Sequence, residues 1–567
     1  MTNYDVDFVV LGAGVAGLSA SLFAALKGYR VLVCEKTSQV GGTTASSAGI
    51  AWVPSSAIAK EAGISDSPDK VRIYLREELG KYYRENMIDA YLESAAFVFN
   101  LLQSQTEVKF TMTNWPDYHS DVPGASSLGR TLIAQRFDGR RLKDKFHLVR
   151  APYKSLMLFG GMSLDKDRVE DFLNPFRSFG ALTRVTKSLV RFAYDRIKYG
   201  RGTDIGGGNA LVASLLYSLL ERGGEVWVDT QPIELVKRGR GVGSVLLAKS
   251  GETVAVNASK GIILATGGFP ANAAMRQRLA GDYPHDITFG LSANVGDGLN
   301  LAQSVGGTLD RDVVSPAFWQ PSSKLLEENG SSTGVMYGYL DRGRPGVIAI
   351  DSKGQRFVNE SNSYHDIGMA MFRSGLAQGN RFYFICDRKF VWHHGLGMIR
   401  PYKLSLRRYI KSGYIVSANS LETLAEKIDV SVAGLIDTVA KNNSYAASGV
   451  DSDFGRGETE YNKLFAHPRA KGSNKNLAPI CHPPYIALRM YPGSLGTAVG
   501  ISVNENAQVL SDDGTPIPGL FACGNDMTSI VRGTYPGGGI TIGPAIVFAY
   551  RAIENAIARI EQARVSL

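Results

Sequence analysis

The stretch that most constrains this chain is "DFVVLGAGVAGLSASLFAALKGYRVLVCEK", residues 7–36. It reads as an apolar strand, a glycine turn, a helix of small residues and a second apolar strand. Gly12, Gly14 and Gly17 spell G-x-G-x-x-G at the strand-to-helix turn, and Glu35 closes the second strand. Each residue has a physical task in a dinucleotide-binding unit. Gly12 makes the tight turn, Gly14 lets a pyrophosphate reach the backbone, and Gly17 lets the helix pack on the strand. The acid bonds a ribose hydroxyl, and the helix N-terminus attracts the phosphates. The run from Phe8 to Leu26 is uncharged and long enough to imitate a membrane span. Its glycine spacing, with Asp7 just before it, selects a buried strand plus a buried helix instead. "MTNYDVD" lacks the basic start of a signal peptide.

Further glycine-rich segments lie far along the chain. "VGGTTASSAGIAWVP" puts Gly41 and Gly42 before small hydroxyl residues, which suits close passage past a flat cofactor. "GIILATGGFP" and "GLFACGNDM" are buried strands that end in glycine, and "NVGDGLNLA" sets Asp297 between two glycines before a helix. The expected fold is therefore α/β, a Rossmann-type cofactor domain that is discontinuous, with an α+β catalytic domain inserted into it. The expected divisions are 1–297, 298–486 and 487–567, with a basic helical insertion at about 130–204. In the middle part "GVIAIDSKGQRFVNE" reads as a hairpin about Ser-Lys-Gly, and "MYPGSLGTAVGISV" as a glycine-spaced turn. The active site belongs in the cleft between the domains.

Composition narrows the function. The 567 residues are 44% hydrophobic and 20% charged, which suits a large core and more than one domain. The four cysteines are far apart and form no Cys-x-x-Cys, which fits a reducing compartment and a cytoplasmic protein. The net charge of +9 concentrates between Arg130 and Arg201. That stretch reads as a solvated helical face; a peripheral contact with an anionic membrane is the other reading, and no nucleic-acid motif accompanies it. His393 and His394 are neighbours whose side chains point apart, without carboxylates at ligand spacing. They read as structural, and no metal is expected.

Near the C-terminus stands "GTYPGGGITIGPAIVFAY", with Tyr535 before Gly537, Gly538 and Gly539. Three glycines give up packing for backbone freedom, so something must come close to that backbone. Together with "GAGVAG", "CEK", "GGTTA", "ATGGF" and "GDG", this segment resembles flavoproteins of the fumarate reductase/succinate dehydrogenase superfamily. Within it, the chain is most similar to the 3-ketosteroid Δ1-dehydrogenases over nearly its whole length.

The resemblance implies an extended FAD against Gly12, Gly14, Ala16, Gly17, Glu35, Lys36, Gly42, Thr43, Thr44, Ala265, Thr266, Gly267, Asp297, Gly524, Asn525, Gly539 and Ile540, with Gly496 and Thr497 near the ring. Some superfamily relatives attach flavin through a histidine after the Gly-Gly segment. Here that segment reads "GGTTASS", so non-covalent FAD is implied. The implied reaction removes a proton and a hydride from neighbouring carbons of a cyclic ketone, the hydride going to flavin N5. The implied catalytic residues are Tyr118 in "WPDYHSDVPG", Tyr364 after "RFVNE", and Tyr535 with the Gly539 amide. Two details depart from the usual pattern. Trp115 stands where a smaller phenyl ring is common, and His119 where a second tyrosine is frequent. Both face the implied substrate side and so bear on substrate size.

The chemistry accounts for these residue types. Proton loss beside a carbonyl is slow unless donors stabilise the enolate oxygen. Tyr535 and the Gly539 amide would be that pair. Tyr364 would be the base, with Tyr118 helping to stabilise its phenolate, because a free tyrosine near pKa 10 is a poor base at neutral pH. The bland alternative for each tyrosine is a half-buried packing residue with a satisfied hydroxyl. A 3-ketosteroid is the leading substrate and a small cyclic ketone such as cyclohexanone the alternative. Dicarboxylate chemistry needs an arginine clamp, and Arg532 alone does not make one. A protein that uses FAD structurally at a membrane or nucleic acid is the non-enzymatic reading. The sequence does not give the electron acceptor; a quinone-like carrier is one candidate.

Overall fold

Parallel pairing around the first strand builds the cofactor half. In the computed structural model, which describes residues 2–153, 157–163, 171–172, 174–281, 287–326, 332–336, 341–468 and 470–565, the strand Thr2–Leu11 lies between Val31–Cys34 and Glu252–Leu264, parallel to both. Glu225–Trp227 extends the sheet on one side and Pro516–Ala522 on the other, again in parallel. Such strands are covered on both faces, and Val31–Cys34 is accordingly apolar and buried throughout. The register pairs Leu11 with Leu264, so the turns that follow these two strands leave the sheet side by side. That is where ligands bind in open parallel sheets.

The segment that imitates a membrane span resolves as expected, into the strand Thr2–Leu11 and helix α1, Val15–Leu26. The helix is apolar all round because nearly all of it is buried. Among the described residues no helix is long and apolar enough to cross a membrane.

The inserted domain has an antiparallel sheet. Ala317–Leu326, Tyr485–Thr497 and Phe382–Asp387 form its centre, with Ser332–Met336 and Val347–Ile350 at its edges. Alternation divides its residues between two cores. Val347, Ala349, Phe382 and Phe384 face one, and Ile348, Ile350, Tyr383 and Ile385 the other.

Three readings from the sequence change here. "MYPGSLGTAVGISV" is not a turn: Tyr485–Thr497 is one continuous strand, so the second sheet runs past the division expected at 486. Gly493 and Gly496 serve close packing, since a Cβ there would lie 2.5 Å from Phe289 and from Asn525 respectively. The hairpin expected in "GVIAIDSKGQRFVNE" has only its first strand, Val347–Ile350, with a single bridge from Ile350 to Arg356. Arg356 is engaged instead in buried ion pairs with Glu360 and Asp451. The basic region is held at its base by a short antiparallel pair, Phe137–Asp138 with Asp204–Ile205.

Three further helices matter below: α2 (Pro68–Leu79), α3 (Phe179–Tyr199) and α4 (Tyr364–Arg373).

Candidate active site

A cavity of about 1010 Å³ runs from the first glycine turn to the tyrosines. Its cofactor end is made of backbone. Gly12 has φ +103°, and a Cβ there would lie 2.2 Å from the Ala265 carbonyl oxygen, so the two turns touch through glycine. A Cβ on Gly17 would lie 1.9 Å from the Gly12 carbonyl, which is the helix-on-strand contact expected of it. Gly14 faces open space and caps α1 without a side-chain bond, leaving helix-end N–H groups toward the cavity.

The structure also shows how this end is braced. Glu35 accepts from the Ala13 amide at 3.1 Å and from Thr37, and it lines the cavity. Lys36 and Asp297, both in the wall, form an ion pair with each other. Asp526 accepts from the Thr266 and Gly268 amides at 2.6 and 2.8 Å, fixing the turn after the central strand. Burial pushes the Asp526 carboxyl up to about 6 despite these bonds. Ala16, Gly42, Thr43, Thr44, Ala265, Thr266, Gly267, Gly496, Gly524, Asn525 and Gly539 all line the cavity. Ile540 does not. It is buried in the core, and Thr541 and Ile542 form the wall there. Sequence reasoning passed over Asn294, another wall residue, whose amide bonds Thr43 and the Gly267 carbonyl.

These residues fit FAD. The groove is long, lined by glycine backbone and begins at a helix N-terminus. Thr497, expected near the ring, does not line the cavity; it is buried beside Gly268, and only Gly496 of that pair stands in the wall. Among the described residues no histidine lines the cavity.

At the other end the three tyrosines meet. The Tyr118 and Tyr364 hydroxyl oxygens are 3.2 Å apart. Tyr118 stacks on Tyr535 with ring centroids 5.6 Å apart, and Tyr364 meets Tyr535 edge-on at 5.1 Å. All three line the cavity together with Trp115 and Gly539. The amide of Tyr118 donates to the Pro536 carbonyl at 2.9 Å, and the Tyr74 hydroxyl donates to the same oxygen at 2.6 Å. Tyr118 and the Tyr-Pro-Gly-Gly-Gly turn are thus one unit.

Each glycine of that turn has its own reason. A Cβ on Gly537 would lie 2.5 Å from the Trp52 indole, and Gly538 faces Trp115 and the Tyr118 hydroxyl. Gly539 has φ +89°, with a Cβ position 2.4 Å from the Ile50 carbonyl oxygen. Its own carbonyl accepts from Trp52, Ile542 and Gly543, and among the described residues its amide donates to none.

Electrostatics alters one expectation. Burial pushes the Tyr364 phenol well above 10, and Tyr118 and Tyr535 push it further, so Tyr118 does not supply a ready phenolate. A cation does stand beside the ring: Arg342, which the sequence reading missed because nothing local marks it. It is buried in the cavity wall with its guanidinium carbon 5.7 Å from the Tyr364 ring centroid. Next to Tyr364, His365 is buried and depressed to about 4, hence neutral; it accepts from the Trp319 amide. Arg532 is paired with Asp310 and does not line the cavity. His394 is half-buried, its ring 4.9 Å from that of His467, and among the described residues no group of histidine, cysteine or acidic side chains is placed to hold a metal.

His119 does not line the cavity. Its ring nitrogens lie 2.8 Å from Glu78 on α2 and 3.0 Å from Asp366 on α4, clamping the Tyr118 loop to the helix that begins with Tyr364. Burial opposes its charge, but Asp366 and Glu78 outweigh burial and hold the imidazole well above 6.5. A raised folded value means stability that is fully present below the unfolded value, about 6.5, and lost as pH rises through the folded one. The holoenzyme's resistance to urea should therefore weaken on the alkaline side of neutrality, and His119→Gln should flatten that dependence. An unchanged pH profile in the variant would remove the clamp from the account.

Comparison with known proteins adds to this geometry. Residues 7–542 match the FAD binding domain family. The chain is 35% identical to 4-oxocyclohex-2-ene-1-carboxylate 5-dehydrogenase of Sinomonas cyclohexanicum, over 98% of this chain and 94% of that one. It is 32% identical to 3-oxosteroid 1-dehydrogenase of Mycobacterium tuberculosis, over 97% and 98%. The crystal structure of 3-ketosteroid delta1-dehydrogenase from Sterolibacterium denitrificans, in complex with 1,4-androstadiene-3,17-dione, matches with a TM-score of 0.88 at 31% identity. That match covers 98% of this chain and all of the other.

Proposed function

The chain belongs to the FAD-binding family as an FAD-dependent oxidoreductase acting on CH–CH bonds of cyclic ketones, and from that premise we propose that it desaturates the 1,2 bond of a 3-ketosteroid. The observation that carries this reading is the convergence of Tyr118, Tyr364, Tyr535 and Gly539 on one cavity. Tyr535 and the Gly539 amide bind the ketone oxygen and take up charge as the enolate forms. Tyr364 takes the proton from the neighbouring carbon, with the Tyr118 hydroxyl 3.2 Å from its own and the Arg342 guanidinium beside its ring. The polarised carbonyl orients the substrate so that the adjacent C–H faces the cofactor groove. Bound FAD supplies the hydride acceptor, held without a covalent bond at Gly12, Gly14, Glu35, Thr43, Thr266, Asn525 and their neighbours.

A small cyclic ketone is the second reading. It is favoured by Trp115, whose indole lies 3.4 Å from the Cβ position of Gly538 and so narrows the pocket beside the tyrosines. A quinone-like carrier would take the electrons onward, and the basic region would make a peripheral membrane contact.

Anaerobic titration of the yellow holoenzyme separates the readings. Androst-4-ene-3,17-dione is expected to bleach the flavin band. Bleaching by cyclohexanone alone would keep the tyrosine chemistry and make the pocket a small-ketone site. Bleaching by neither would overturn the ketone reading.

A further inference from the structure

Helix α3 breaks the rule that a helix turns its apolar side inward. Its buried positions are Ala181, Val185, Phe192 and Asp195, the last engaged by Arg140 at 2.6 Å. Another side carries Phe179, Leu182, Leu189, Val190, Ala193 and Ile197, at the spacing that aligns residues along one helix face. That side faces solvent. Phe179 is 86% exposed, Val190 67% and Ile197 89%, and Phe176, just before the helix, is 85% exposed. Scattered exposed apolar residues are ordinary; a run of them along one side of a 21-residue helix, interrupted by Thr186, is an interaction surface.

The charges indicate the partner. Helix α3 carries five cations, Arg184, Lys187, Arg191, Arg196 and Lys198, and one acid, the buried Asp195. Arg184 and Arg191 fold back onto Asp171 and Asp138 of the protein body. Lys187 and Lys198 flank the stripe, and no acid stands on its exposed face to offset them. A second copy of this helix docked about a two-fold axis would meet the same charge. An anionic lipid surface supplies both an apolar layer and the opposite charge. Position agrees. Ser163 lines the large cavity and also a smaller hollow of about 300 Å³, walled by Val185, Ser188 and Phe192 of α3.

We propose that α3 lies in the plane of an anionic membrane surface, seating Phe179, Val190 and Ile197 at the headgroup–acyl boundary. The contact then places the cavity beside the phase into which a lipophilic ketone partitions, an advantage that rests on the substrate reading above. The contact is apolar first, and the basic residues orient it.

The test is flotation of the full-chain holoenzyme with phosphatidylcholine vesicles, plain or containing about 30% phosphatidylglycerol. Wild type is expected to float with the anionic vesicles. The triple variant Phe179→Asp/Val190→Asp/Ile197→Asp should bind them at least about tenfold more weakly, with flavin content and turnover of a dissolved ketone unchanged. A single Val190→Trp variant should be quenched by brominated lipid. Failure of wild type to float, or equal flotation of the triple variant, overturns the proposal. So does a wild-type dimer in vesicle-free sedimentation that the triple variant dissolves, since the stripe would then join two copies. A protein that floats as described but is bleached by no ketone refutes the substrate reading and leaves the membrane contact supported.

Discussion

Replacing Tyr364 by phenylalanine is expected to lower turnover of a cyclic ketone by about 10²–10⁴-fold, with the protein still yellow. The phenol oxygen is the one group lost. It sits 3.2 Å from the Tyr118 hydroxyl, at the N-terminus of α4, and α4 keeps its Ser363 cap in the variant. The flavin groove is built from other segments, so cofactor content should hold. The pH dependence gives a second readout. Burial and the two neighbouring tyrosines hold Tyr364 well above 10. A base must be deprotonated to act, so wild-type kcat/KM should rise about tenfold per pH unit on the acid side of that value. The variant should lose this slope along with the rate. Near wild-type turnover, or a retained slope, would show that another group takes the proton.

The second large effect is structural. Arg130→Met should cost about 3–5 kcal/mol, because it strands two buried carboxylates. Arg130 is 1% exposed and bonds Asp66 through two nitrogens, at 2.9 and 2.8 Å, and Asp117 at 2.7 Å. Asp117 also accepts from the Trp52 indole and the Ser126 amide, and it directly precedes Tyr118. Burial already pushes the Asp117 carboxyl up, and Arg130 is the main counterweight. Its loss should loosen the Tyr118 loop as well as lower the urea midpoint of unfolding. An unchanged midpoint would mean that the triad carries no net stability. A lowered midpoint with unaltered turnover would separate the ion cluster from Tyr118.

The cofactor half was largely legible in the sequence. Strand, glycine turn, helix, strand and acid are contiguous, and each glycine meets a constraint of local backbone geometry. Ile540 shows the limit even there. One residue's rotation at the start of a helix decides whether a side chain faces cavity or core, and the motif leaves that rotation open. The tyrosines were legible through resemblance; residue spacing alone left each of them open as a packing residue. In the inserted domain, alternation misplaced the strands. Apolar runs around "SKG" looked like a hairpin, yet Arg356 is drawn into ion pairs with Glu360 and Asp451, and the second run leaves the sheet.

By itself, then, the sequence determined the Rossmann-type cofactor site and the turn at Gly537–Gly539, since glycine there answers to backbone torsions and close approaches within short segments. Only the tertiary structure decided that Arg342 stands behind Tyr364, that His119 joins α2 to α4, that Lys36 pairs with Asp297, and that the apolar stripe of α3 faces outward. Each of these depends on which distant segments pack together. For α3 the apolar spacing is the same whether the stripe turns in or out, and only the surface it packs against chooses.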